Sequence, residues 1–258
     1  MRFDMHCHTK EGSIDGKINL ASYVTALKRK GFQGMLLTDH NSYRAYRYYK
    51  KHHNEPVFQD FIILKGIEYD TLDAGHMIII MPTSVQLPLL ELRGLPLTLL
   101  IDIVHTFGGI LGPAHPCGEK YMSFCNTRCY QKHPGLLKSF DFIETFNACE
   151  PVQSNIAAKR LAREYDLPGF GGSDAHKADC TGLGYTDFSE KIYSENALIA
   201  YMKQRKHLQS GGIYYHHTTK ERIGFFHNLL ACFFWLYNKS ACFLRSYKRH
   251  TEIASLKK

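Results

Sequence analysis

Short apolar runs alternate with longer amphipathic ones along this chain, and histidines and acids stand where the short runs stop. The alternation is the pattern of an α/β protein. It predicts strands over residues 2–6, 34–38, 61–68, 76–81, 109–114, 140–146 and 169–172. Helices are expected over 19–30, 42–53, 98–107, 153–165 and 194–206, the first opening at polar Asn19 and stopping at Gly31. A chain of 258 residues accommodates one TIM-like β/α barrel. His6, His8, His40, Glu68, His115, Asp174 and His176 fall at or just after the C-terminal end of an expected strand, whereas His76 opens one. In a β/α barrel those ends converge on one face, so residues far apart in sequence can share a pocket there.

Each of these positions has two readings. His6-Cys7-His8 puts both imidazoles on one side of a strand, within reach of a single ion. Asp15 precedes a glycine, which also suits a plain turn. Thr38-Asp39-His40-Asn41 closes an apolar run; it reads as a strand emerging into a site, or as a helix cap made by Asp39 or Asn41. Glu68 ends another apolar run, where a carboxylate without a partner is costly and a pair of cations would supply one. His76 heads a very apolar strand and fits a core histidine equally well. His115 sits between Ala114 and Pro116 in a rigid turn. Gly172-Ser173-Asp174-Ala175-His176 offers two ligands where glycine permits close approach. Mixed imidazole and carboxylate donors suit Zn²⁺, Mn²⁺ or Fe²⁺.

Composition narrows the alternatives. Fifteen histidines are an excess that metals or proton transfer would explain. The chain runs from Met1-Arg2-Phe3-Asp4 into a strand without an apolar leader, so its eight cysteines are expected to be reduced thiols in a cytoplasmic protein. The net charge of +8 is unevenly spread. Residues 201–258 carry 11 Lys or Arg against 2 Asp or Glu; residues 1–200 carry 21 against 22. A near-neutral body argues against a broad nucleic-acid groove.

The tail contains IGFFHNLLACFFWLY over 223–237, followed by Lys239, Arg245, Lys248 and Arg249. This run is too short and interrupted to be read as a transmembrane helix, which needs about 20 apolar residues. Three readings stay open: a helix packed on the body, a dimer contact, or attachment at the membrane surface.

The ordered set Asp4-Met5-His6-Cys7-His8-Thr9, Asp15-Gly16, Thr38-Asp39-His40-Asn41, Gly66-Ile67-Glu68, His76, His115-Pro116 and Gly172-Ser173-Asp174-Ala175-His176 resembles the PHP (polymerase and histidinol phosphatase) superfamily. The resemblance implies a distorted seven-stranded β/α barrel over residues 1–210, with 211–258 as a basic, aromatic-rich extension. It also implies two to three divalent metal ions, Mn, Zn or Fe. His6, His8, Glu68 and Asp174 would hold the first ion; Glu68, His76 and His115 the second; Asp15, His40 and His176 the third. Glu68, His40 and Asp174 are the residues expected to be most directly engaged in catalysis.

The expected activity is hydrolysis of phosphate esters, the ions clamping the phosphoryl group and acidifying a water. A phosphorylated small molecule or a nucleotide is the expected substrate, with nucleic acid less favoured. Two alternatives remain: metal-dependent hydrolysis of a non-phosphate bond, and a non-catalytic regulatory module that binds metal. Asp39 is a candidate to orient an imidazole, and His105 is expected outside the site, within a helix. Arg44, Arg47, Lys120, Arg128 and Lys177 are candidate phosphate partners or simply solvated charges. The irregular stretch 118–133, with Tyr121, Phe124 and Tyr130, is the candidate cover over the substrate.

Overall fold

The computed structural model describes residues 1–119, 122–205, 208–217 and 226–256. Lys120, Tyr121, position 206 and residues 223–225, all named above, lie outside them. Strand β1 (Arg2–Cys7) runs parallel to β2 (Gly34–Leu37), and β2 runs parallel to β3 (Ile62–Lys65). Helix α1 (Leu20–Arg29) links β1 to β2, and α2 (Arg44–His52) links β2 to β3. Asn19 caps α1 by accepting the Ser22 N–H at 2.8 Å. Leu20, Tyr23, Val24 and Leu27 form the buried face of α1, which packs with Met35, Leu37 and Ile63 of the sheet.

Past Gly66 the chain leaves this sheet. Strand β4 (Ile67–Asp70) pairs antiparallel with β5 (His76–Ile80), which pairs antiparallel with β6 (Ile110–Pro113). Helix α3 (Leu97–Thr106) precedes β6, and the short α4 (Arg128–Lys132) lies between β6 and β7 (Ile143–Asn147). Helix α5 (Val152–Glu164) crosses from β7 to its parallel partner β8 (Gly169–Gly172). Strand β9 (Gly184–Asp187) adds antiparallel to β1, and β10 (Gln209–Gly212) to β9, with α6 (Glu195–Lys203) between them. Helices α7 (Phe226–Leu244) and α8 (Ser246–Leu256) follow.

The expected closed seven-stranded barrel is not formed. Among the described residues the strands divide into sheets of five (β10-β9-β1-β2-β3), three (β4-β5-β6) and two (β7-β8). Three local features account for the breaks. The strand expected over 61–68 splits at Gly66 into β3 and β4, which belong to different sheets. The link from β4 to β5 is a tight turn closed by Thr71 and Gly75, too short for the crossover that a parallel pair requires. Beyond β6, the Asp141 carboxylate takes the Leu111 N–H at 3.0 Å, so a side chain occupies a donor that a β6–β7 ladder would use. Between β8 and β1 there is one isolated bridge, Cys7 to Ala175, near their C-terminal ends.

A register shift between Asp4 and Cys7 decides which way β1 presents its side chains. Before it, Phe3 and Met5 enter a core shared with Leu36, Ile78, Ile110, Phe142 and Phe170, while Asp4 meets Tyr23 of α1. After it, Cys7 packs on the α1 side, so His6 and His8 turn inward. A bulge re-aims side chains in this way.

Candidate metal centre

Six imidazoles and four carboxylates meet at one end of these sheets. His6 and His8 end β1, His40 follows β2, Glu68 and Asp70 lie on β4, and His115 follows β6. Asp174 and His176 follow β8, and Asp15 comes from the loop after β1. His76 reaches the same end because β5 is antiparallel: its register partner is Asp70, the last residue of β4. All nine residues expected from the sequence are therefore brought together.

Glu68 is the hub. Its Oε2 lies 3.2 Å from His8 Nε2, 3.2 Å from His40 Nδ1 and 3.4 Å from His6 Nε2. Its Oε1 lies 2.9 Å from His76 Nδ1 and 3.2 Å from His115 Nε2. Asp174 Oδ1 sits 3.2 Å from His8 Nε2 and 3.5 Å from His6 Nε2. On the outer side, Asp15 Oδ2 lies 3.3 Å from His176 Nε2 and 3.6 Å from His40 Nε2.

These contacts are poor hydrogen bonds but good coordination edges. His6 Nε2, His8 Nε2, His40 Nδ1 and both ring nitrogens of His76 are buried without a hydrogen-bond partner, as are Asp15 Oδ1 and Asp70 Oδ1. His6 Nε2 and His8 Nε2 each lie 3.2–3.5 Å from a carboxylate oxygen of Glu68 and one of Asp174. Four groups have ligand atoms within 4.8 Å of one another: His6, His8 and Glu68; Glu68, His76 and His115; His8, Asp15, His40 and His176; and His40, Asp70 and His76. The donor set fits divalent ions by type and spacing, and His6, His8, His40, His76, Asp15 and Asp70 each keep a ligand atom without a hydrogen-bond partner.

The electrostatics favour added positive charge. Burial opposes the charge on Glu68, yet His76, His40 and His6 hold its carboxyl well below the usual range. Burial would lower His40, but Glu68, Asp70 and Asp15 outweigh it and raise His40 to about 10. His6 is likewise raised by Glu144, Asp174 and Glu68 against the effect of burial. Burial and the neighbouring His176 lower His8, which therefore stays neutral, as a ligand requires. Without metal, several imidazoles must hold protons to balance the carboxylates; a divalent ion would replace those protons.

A ring of further residues orients the donors. Glu144 accepts the His6 Nδ1 proton at 2.9 Å, leaving Nε2 to face the centre. Glu144 also accepts the His115 N–H and is met by Asn147 Nδ2, which lies 3.1 Å from Asp174 Oδ2. Ser13 Oγ accepts the His40 N–H at 2.9 Å and lies 3.3 Å from His8 Nδ1. Asp4 is fully buried and accepts from Ser173 N, Ser173 Oγ and Tyr23 Oη, tying the Asp174 loop to β1 and α1. Asp39 accepts from Thr9 N at 2.7 Å and from Thr9 Oγ1. It thus anchors the loop that carries Ser13 and Asp15 and is hydrogen-bonded to no imidazole. Asn41, His115 and Asp174 adopt positive φ of 48°, 30° and 51°. Asn, His and Asp are the non-glycine types that enter this region most readily.

The sequence reading overlooked Asp70 and Glu144. Asp70 Oδ1 is 3.3 Å from both His40 Nδ1 and His76 Nε2, and its Oδ2 is 3.2 Å from Arg93. Glu68-x-Asp70 is the strand spacing that puts two side chains on one face, so the signal was present. Glu144 interrupts an apolar run just as Glu68 does.

Among the candidate phosphate partners, Arg47 is paired with Glu91 at 2.8 Å. Arg44 and Arg128 are exposed, and Lys177 is partly so. His105 lies in α3 and pairs with Asp141 at 2.9 Å, outside the centre as expected. The stretch 118–133 is partly a packed insert: Phe124 is buried against Tyr130 and Phe140, and Ser123 Oγ lies 3.2 Å from His115 Nδ1.

Comparison with known families places a PHP domain over residues 4–149 and a PHP-associated segment over 152–207. No curated protein matches in sequence. Among solved structures, a two-domain protein of Bacteroides vulgatus containing a predicted PHP-like metal-dependent phosphoesterase superposes with a TM-score of 0.59 at 17% identity. That match covers 83% of this chain and 65% of the other. Endonuclease Q, in complex with a 27-mer duplex substrate carrying an abasic lesion at its active site, gives a TM-score of 0.62 at 15% identity, over 83% of this chain and 60% of its own. PsfC from Pseudomonas syringae gives 0.59 at 14% identity, over 93% of this chain and 98% of its own. The chain thus spans less than two thirds of the length of the first two, and identities this low establish the fold alone.

Proposed function

The chain belongs to the PHP domain family, and from that membership we propose that it is a metal-dependent phosphoesterase whose catalytic unit is residues 1–210. The observation that carries the proposal is the convergence of imidazoles on Glu68, with ring nitrogens of His6, His8, His40 and His76 buried and without a hydrogen-bond partner. His6, His8, Glu68 and Asp174 would hold one ion, and Glu68, His76 and His115 a second, with Glu68 common to both. Asp15, His40 and His176 would hold a third, and Asp70, grouped with His40 and His76, would be a further carboxylate ligand.

Ions bound there polarise phosphoryl oxygens and make water a stronger nucleophile near neutral pH. The chain's own part is to fix the donors. Glu144 and Ser123 set the ring orientation of His6 and His115. Ser13 positions His8 and His40, and Asp4 holds the Asp174 loop. Glu68 keeps its negative charge for the ions, while burial of the inner donors keeps bulk water away from them.

A phosphorylated small molecule or nucleotide is the proposed substrate, because residues 1–200 have no excess of cations to follow a nucleic-acid backbone. The structural likeness to Endonuclease Q, which binds a duplex with an abasic lesion, makes nucleic acid the competing substrate. Elemental analysis of metal-replete protein, paired with assays on phosphomonoesters, nucleotides and abasic duplex DNA, tests this. The expectation is about two to three ions per chain, and turnover that is lost in Glu68→Gln and in His40→Ala. Metal without turnover on any phosphate ester would overturn the phosphoesterase reading.

A further inference from the structure

Helix α7 is exposed where its sequence is most apolar. From Phe226 to Asn238 it carries no Asp, Glu, Lys or Arg. Leu229, Leu230, Phe233, Trp235 and Leu236 are between 45% and 60% exposed, and Phe226 is 68% exposed. Among the described side chains of α7, those buried are Asn238 and Cys242, one turn apart in its C-terminal half. There the helix is fastened to the body: Asn238 Oδ1 accepts from Arg93, Lys239 Nζ donates to Leu72 O, and Arg249 of α8 donates to Arg93 O and Cys242 O. The N-terminal half therefore presents apolar side chains around much of its circumference. Such a helix requires a covering phase.

We propose that this half of α7 docks the protein on the surface of an anionic lipid bilayer. Charge selects that occupant over a second copy of the chain. Residues 201–258 carry 11 Lys or Arg against 2 Asp or Glu, so a symmetric contact would bring two strongly basic segments together. Lys239, Arg245 and Lys248 flank the apolar half; the bonds that Lys239 and Arg245 make to the body end on carbonyl oxygens, which leave their charge uncompensated. An anionic headgroup layer matches both features at once.

Length points the same way. The apolar half, residues 226–237, is about 18 Å long as a helix, too short for the roughly 30 Å hydrocarbon core but enough to enter one leaflet. Among the described residues, no helix is long and apolar enough to cross a membrane. Trp235 and Tyr237 are the side chain types that settle at the lipid–water interface.

Trp235 is the one tryptophan of the chain and reports directly on its own surroundings. The full chain is titrated with vesicles of phosphatidylcholine, with and without phosphatidylserine. Binding should shift the Trp235 emission to the blue only with phosphatidylserine present, weaken at high salt, and bring Trp235 within reach of quenchers placed at the headgroup–acyl boundary. The exposed double substitution Leu230→Ser with Phe233→Ser should abolish the shift, and Lys248→Glu should weaken binding about tenfold. Thermal unfolding of these variants should match that of the parent chain. An emission spectrum unmoved by phosphatidylserine vesicles overturns the proposal. So does a shift that instead follows protein concentration together with dimerisation in sedimentation, which would make a second copy the occupant.

Discussion

Replacing Glu68 with glutamine keeps the shape of the side chain and removes the charge on which five imidazoles converge. In the metal-free protein the effect on stability should be small above about pH 10, where His40 has lost its proton in the parent chain as well, and larger below it. The effect on metal binding should be large. An amide presents one oxygen and one N–H pair where two carboxylate oxygens had faced ligand nitrogens, so affinity should fall about 100-fold or more, at or beyond the upper end of losses seen for outer-sphere partners. With metal at about 100 times its dissociation constant, the wild-type chain gains about 2.7 kcal/mol, whereas a variant binding 100-fold more weakly gains about 0.4 kcal/mol. For a chain of this size that is a metal-dependent rise in Tm of about 5–10 °C against about 1 °C. Differential scanning calorimetry of chelated and Zn²⁺- or Mn²⁺-loaded samples measures both. A Glu68→Gln protein that keeps the full metal-dependent rise would refute the reasoning that makes Glu68 the shared ligand.

Three further outcomes follow from the same geometry. Glu144→Gln leaves His6 without a carboxylate on Nδ1, and metal affinity measured by competition with a chromogenic chelator should fall about 10- to 100-fold; unchanged affinity would mean that Glu144 does not orient His6. His40 is raised to about 10 by Glu68, Asp70 and Asp15 against the opposing effect of burial. Its protonation therefore stabilises the metal-free fold fully below about pH 6.5 and is lost as pH rises through about 10. Metal binding should release protons in that window and tighten with pH, which calorimetry in buffers of different ionisation enthalpy would detect; binding without proton release would contradict it. A Cβ added at Gly172 would lie 2.4 Å from His6 Cβ and 2.5 Å from His6 N. Gly172→Ala should thus cost about 1–3 kcal/mol in chemical denaturation, and stability at the wild-type level would show that β8 does not approach β1 this closely.

Much of the centre was legible because strand ends concentrate chemistry. His6-Cys7-His8, the Thr38–Asn41 turn and the Gly172–His176 segment each follow an apolar run, and each delivers its side chains to the shared end. His76 did not fit that pattern, since it begins a strand. The explanation is the antiparallel course of β5, which a five-residue link between β4 and β5 dictates but hydrophobic patterning does not register. The closed barrel was the wrong inference for a related reason. Apolar runs reveal strands but not which strands share a ladder, and Gly66 and Asp141 break ladders that the pattern alone would continue. Strands β9 and β10 went unread because Gly-Tyr-Thr-Asp and Gln-Ser-Gly-Gly lack an apolar core signal. Asp70 and Glu144 were legible in principle, the first by strand spacing from Glu68 and the second as a carboxylate inside an apolar run. The register shift in β1 was not, because it depends on how β1 meets β2.

Crystals grown with Zn²⁺ or Mn²⁺ and measured at the absorption edge of that metal would test the central claim most directly. The account expects anomalous peaks within about 2.0–2.2 Å of the donor atoms of His6, His8, Glu68 and Asp174, and of Glu68, His76 and His115, with Glu68 touching both. A map without a peak at coordination distance from Glu68 would contradict it.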